Sequence, residues 1–123
     1  MRSLLVIAAI LAAAALPAVA VSSTAPSKSE RAELKQAVKN SKLVPRSVRR
    51  GFRLGSPRIA DGGRWAKAAI VSRSHYTDPF NAPKGLFKHK GGGWKLVKYG
   101  TRRLGCSKPR APRSVRKDLK LRC

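Results

Sequence analysis

Residues 4 to 16 are apolar without a break, and beyond them the pattern changes to short helical and alternating periods punctuated by glycine pairs. In the stretch SKSERAELKQAVKN, Leu34, Ala37 and Val38 fall on one stripe at helical spacing, with Ala32 weakly apolar beside them. Ser27 and Glu30 stand in the S-x-x-E relation of a capping box. Glu30 and Glu33 lie near the start, and Lys39 and Lys42 near the end, as the helix dipole favours. The pattern predicts a helix over residues 28 to 40, too short to persist alone in water and in need of a surface to dock on.

That surface is predicted to be a sheet. Residues 52 to 60 and 65 to 72 flank Asp61-Gly62-Gly63-Arg64, and residues 86 to 90 and 94 to 100 flank Gly91-Gly92-Gly93. Glycines between apolar, aromatic and β-branched runs are hairpin signals, so four strands in meander order follow. Ala66, Ala68 and Ile70 alternate with Trp65, Lys67, Ala69 and Val71, and the small alanines leave room for a helix. In the last strand Trp94 and Leu96 share one face while Val97 and Tyr99 share the other. Each tryptophan opens a return strand. Trp65 and Trp94 therefore read either as sheet packing or as stacking platforms bordered by Arg64, Lys67, Lys90 and Lys95.

Between the hairpins, residues 73 to 85 contain two prolines and gather His75, Tyr76, Asp78 and Phe80. This connection is longer than a hairpin needs; it reads as a binding loop or as a cover for one end of the sheet.

The N-terminus sets the compartment. Arg2 supplies a short positive region, the apolar run spans thirteen residues, and Pro17-Ala18-Val19-Ala20 supplies small residues in the A-x-A pattern. This is the build of a secretory signal peptide cleaved after Ala20. The alternative, an uncleaved anchor, requires more than this run, since a helix needs about 20 apolar residues to span a bilayer. The expected organisation is a signal peptide at residues 1 to 20, a flexible lead-in at 21 to 28, and a single small domain at 29 to 123. The expected location is secreted or at the cell envelope.

Cysteine usage fits export. Cys106 and Cys123 are the only two cysteines, and an exported chain meets conditions in which disulfides persist. A bridge between them would be worth about 3 kcal/mol in the chain-entropy model and would tie down the C-terminus. The competing reading, a metal site with His75 or His89, lacks any ligand spacing, so no metal and no cofactor is expected. The fold class that results is α+β: one N-terminal helix packed on a four-stranded antiparallel meander, with the C-terminal segment stapled by a disulfide.

Charge then narrows the partner. Across 123 residues there are 28 Lys and Arg against 5 Asp and Glu, a formal net charge of +23. Loss of the first twenty residues removes only Arg2 among them and leaves 103 residues at +22. Such a density repels itself and attracts polyanions. The cations also recur in a pattern: VPRSVRRG at residues 44 to 51 and APRSVRKD at 111 to 118 share Pro-Arg-Ser-Val-Arg followed by another cation. Proline favours a helix start, so each string predicts a short turn. Arg46, Arg49 and Arg50 then lie along one side of the first turn, and Arg113, Arg116 and Lys117 along one side of the second. Val48, Val115, Leu119 and Leu121 face inward.

Catalysis is not expected. Glu30 and Glu33 serve the helix start, Asp61 suits a turn, Asp118 sits among cations, and the local pair His75 and Asp78 is isolated. The sequence holds no G-x-S-x-G, H-E-x-x-H, phosphate-loop or paired-carboxylate motif. The charge instead predicts an anionic partner held mainly electrostatically: an envelope polysaccharide or teichoic-type polymer, or nucleic acid. The alternatives are a membrane-active cationic protein acting on anionic membrane surfaces, which requires an apolar surface beside the cations, and a structural protein without activity.

The order GGRWAKA, GGGWKLVKYG, LGCSK and PRSVRKDLKLRC resembles a group of small exported proteins, common in actinobacteria, with a Trp hairpin, a Gly-Cys and a terminal P-x-x-V-x-x-D-L-x-L-x-C segment. The resemblance covers about half of the mature chain. It implies export, one domain and the Cys106 to Cys123 pairing, and implies no chemistry. Helix plus meander is also similar to cystatin-like folds, an architectural likeness that carries no function.

Overall fold

The computed structural model describes residues 23–73, 82–101, 104–106 and 108–122. The signal segment, the loop residues His75, Tyr76, Asp78 and Phe80, and Cys123 lie outside the described residues.

Helix α1 spans Lys28–Lys39. Both halves of its capping box form: Glu30 N donates to Ser27 Oγ at 3.2 Å, and Ser27 N donates to Glu30 Oε1 at 2.9 Å. After the short helix α2, Arg46–Arg49, come β1 (Phe52–Ile59), β2 (Trp65–Ser72), β3 (Lys84–Lys90) and β4 (Gly93–Gly100), and then α3, Arg113–Asp118. The strands pair antiparallel in the order β1-β2-β3-β4, the expected meander. Gly62, Gly63, Gly91 and Gly92 all have positive φ, which is why glycine pairs stand at both hairpin turns. The third hairpin strand starts earlier than its apolar run, at Lys84, and Gly93 belongs to β4 rather than to the turn.

Each face of the sheet carries a helix. On one, Leu34 and Val38 of α1 are fully buried against Phe52, Leu54, Ile59, Ala66, Ala68, Ile70, Phe87 and Leu96. Burying a Leu and a Val contributes roughly 1.5–3 kcal/mol each, which is what holds a twelve-residue helix that is marginal by itself. The approach is close at Gly85, where an added Cβ would sit 2.7 Å from Leu96 Cδ1 and 2.9 Å from Ile70 Cδ1. On the other face Trp65, Leu86 and Ala60 pack with Ala111, Val115 and Leu119 around α3. Asp61 N donates to Asp118 Oδ2 at 3.3 Å, joining the C-terminal end of α3 to the first hairpin turn.

Two local expectations are corrected, and β1 holds an irregularity of its own. The alternation in β4 is interrupted, because Phe87 pairs with Leu96 whereas Leu86 pairs with Lys98. The extra residue turns Tyr99 onto the α1 face with Trp94 and Leu96, leaving Val97 on the α3 face. A second irregularity, between Gly55 and Arg58, admits Pro57 into the edge strand β1. The lead-in is not free at residues 23 and 24. Thr24 N donates to Ile59 O at 2.8 Å and accepts from Ile59 N through its carbonyl at 2.7 Å, while Arg58 Nε donates to Ser23 Oγ at 3.0 Å.

Candidate functional site

Helix α2 follows α1 closely and turns Val44 and Val48 toward the core, Val44 buried and Val48 half-buried. That orientation leaves its cations outside. Arg73 N donates to Gly51 O at 2.9 Å, which brings the end of β2 alongside the end of α2. Lys35 and Lys39, four apart on α1, form the facing wall. The result is a cleft of about 200 Å³ lined by Lys35, Lys39, Arg49, Arg50 and Arg73, completed by Gly51 and Phe52. None of the described residues that line it is acidic. Arg49 Nε is buried and has no hydrogen-bond partner among the described residues.

The two predicted cationic turns both form, and they do not make one site. Arg49 and Arg50 enter the cleft, and Arg46 is exposed outside it. Arg113, Arg116 and Lys117 ride on α3, whose core-facing Val115 packs on the opposite side of the sheet. Lys35, Lys39 and Arg73 were not among the predicted site residues. The lysine pair at i and i+4 was a visible signal of a shared helix face, whereas the approach of Arg73 depends on strand pairing.

The two tryptophans separate in the same way. Trp65 is only 6% exposed, and Lys88 Nζ lies 5.1 Å from its ring centroid. Its ring is part of the second core. Trp94 is half-buried, edge-on to His89 with ring centroids 5.1 Å apart and planes at 81°. It lines a groove of about 710 Å³ with Leu43, Lys42, Lys90 and Lys95.

Two titratable groups, Lys98 buried and Tyr99 half-buried, serve the scaffold. Lys98 Nζ donates to Leu104 O at 2.8 Å, anchoring the turn that follows β4; burial, and then the charge of Arg110, holds its ammonium below the ordinary value. Burial pushes the Tyr99 hydroxyl up. No group of three His, Cys, Asp or Glu side chains able to hold a metal ion is found among the described residues, and no helix among them is long and apolar enough to cross a membrane.

Comparison with known protein families, with curated proteins and with solved structures finds no match.

Proposed function

We propose that this is an exported, strongly basic single-domain protein that binds an anionic polymer mainly by charge. The observation that carries the reading is the α1–α2 cleft, where five cations meet with no carboxylate among the described residues that line it. Cations brought together in this way repel one another, and an anionic ligand relieves that repulsion. Arg49 and Arg50 act with Lys35, Lys39 and Arg73 as the contact set, while Arg46, Arg113, Arg116 and Lys117 add to the field around it. Export favours a cell-envelope polymer of teichoic type over nucleic acid. In this reading the role of the cleft is binding.

Export also favours a Cys106–Cys123 disulfide. Its support is the neighbouring pair: Gly105 N donates to Arg122 O at 3.3 Å, and an added Cβ on Gly105 would sit 3.2 Å from Leu121 Cβ. Mass spectrometry before and after reduction reads the pairing directly. The membrane-active alternative draws less support, because the apolar stripe of α1 is spent on the core, with Leu34 and Val38 at 0% exposure.

The test is a titration of the protein with polyglycerol phosphate, single-stranded DNA, a neutral glycan and anionic vesicles at low and physiological salt. Saturable binding to polyglycerol phosphate that weakens steeply with salt, without vesicle leakage, is expected. Equal binding to the neutral glycan, or leakage that persists at high salt, would overturn the reading.

A further inference from the structure

The sheet face that carries α3 is covered only in part, and its open part is cationic. Lys67 stands on the inner strand β2. Lys84 of β3 pairs with Ala69, two residues along the same face of β2, and is therefore the diagonal neighbour of Lys67. The chain after α3 returns across this end of the sheet and brings Lys120 and Arg122 to the same place, where the four cations share the lining of a cavity of about 130 Å³. None of the described residues that line it is acidic. Burial first, and then the charges of Lys84 and Lys120, hold the Lys67 ammonium below its ordinary value of 10.5. Lys67 and Lys84 also line an adjoining groove of about 470 Å³, into which Arg31 and Arg53 extend the same charge.

We propose that this cavity is a discrete phosphate site, with Lys67 at its centre and Lys84, Lys120 and Arg122 around it, and that the remainder of the phosphorylated ligand runs into the groove toward Arg53. Charge matching selects the ligand class. A carboxylate brings one negative charge and two oxygens to four cations, whereas a phosphate monoester brings between about 1.5 and 2 charges and three strong acceptors. Arg122 offers the planar fork that suits two of those oxygens, and the lysines act as point charges for the third. The site uses none of the residues of the α1–α2 cleft, so either can fail without the other.

The test follows the lysine ammonium and backbone amide resonances of the full chain during titration with inorganic phosphate or with acetate, at constant ionic strength. Phosphate is expected to shift Lys67, Lys84, Lys120 and Arg122 saturably and to raise the Lys67 pKa; acetate is expected to leave them nearly unmoved. Lys67→Met keeps the apolar stem and should weaken phosphate at least tenfold, while Lys28→Gln, at an exposed position outside both sites, should leave it unchanged. Should Lys67→Met not fold, Lys120→Asn provides the same readout at an exposed position, since Asn tolerates the positive φ of 54° found there. Equal responses to acetate and phosphate, or undiminished phosphate binding in the variants, would overturn the proposal. A glycerol phosphate oligomer separates a polymer from a free ion: it should bind more tightly than inorganic phosphate and lose that advantage in Arg53→Gln. Equal affinity for the two would refute the extension along the groove.

Discussion

Val48 and Val115 hold the same place in the two Pro-Arg-Ser-Val-Arg strings, and they pack on opposite faces of the sheet, Val48 with the α1 core and Val115 with the Trp65 core. A five-residue string thus makes a short helix twice, each time with its valine inward, its first arginine exposed and its second half-buried. The repetition is structural, since only the first copy meets Lys35, Lys39 and Arg73 to form a cleft. Val115 is 6% exposed, whereas Val48 is half-buried. Val115→Ala should therefore cost about 2 kcal/mol and Val48→Ala about half of that. Urea unfolding of the two variants checks the order, and a larger loss at Val48 would contradict the packing described.

Gly85 should not accept a side chain. A methyl group there meets Leu96 and Ile70 at distances below 3.0 Å and Phe87 Cε1 at 3.3 Å, all within the α1 core. Gly85→Ala is expected to destabilise by roughly 1–3 kcal/mol through overpacking. A melting temperature equal to wild type would show that Leu96, Ile70 and Phe87 leave room for a methyl group there.

Alkaline pH should stabilise the fold until tyrosine ionises. The folded state holds the Lys67 and Lys98 protons less tightly than the unfolded chain, where both titrate near 10.5. Below the lowered folded values both states are protonated and the cost of confining these charges is full. Between those values and 10.5 the unfolded state binds more protons, so stability rises with pH. Tyr99 works in the other direction: its folded value lies above 10.0, so from that pH upward the unfolded state ionises first and stability falls. Lys67→Met should melt higher than wild type at pH 7 and show a shallower alkaline rise. An unchanged slope would mean that Lys67 is not confined among like charges.

Much of the architecture was legible because its determinants are local. Ser27 and Glu30 cap a helix through residues three apart, and Gly62, Gly63, Gly91 and Gly92 supply positive φ where the chain must reverse. The parts that were not legible depend on pairing across the sheet. The shift between Leu86 and Phe87 that turns Tyr99 toward α1 leaves no mark on the alternation of β4, and the burial of Trp65 follows from where α3 returns. The site divides along the same line. Arg49 and Arg50 announced themselves by clustering in sequence, whereas Arg73 joins them through a single backbone hydrogen bond to Gly51, and Lys120 and Arg122 reach Lys67 only after the chain has crossed the second face.

The most direct measurement is the salt dependence of polyanion affinity with and without charge in the α1–α2 cleft. Fluorescence anisotropy of a labelled single-stranded oligonucleotide reads the dissociation constant for wild type, for Lys39→Gln/Arg49→Gln, and for Arg113→Gln/Lys117→Gln as a control of equal charge on α3. The cleft variant should bind more weakly at low salt, and its plot of log affinity against log salt should be shallower by about 1.4, corresponding to two lost phosphate contacts on a single strand. The α3 control should change less in both respects. An unchanged slope and affinity in the cleft variant, or equal changes in the two variants, would contradict a binding site built where α1 and α2 meet.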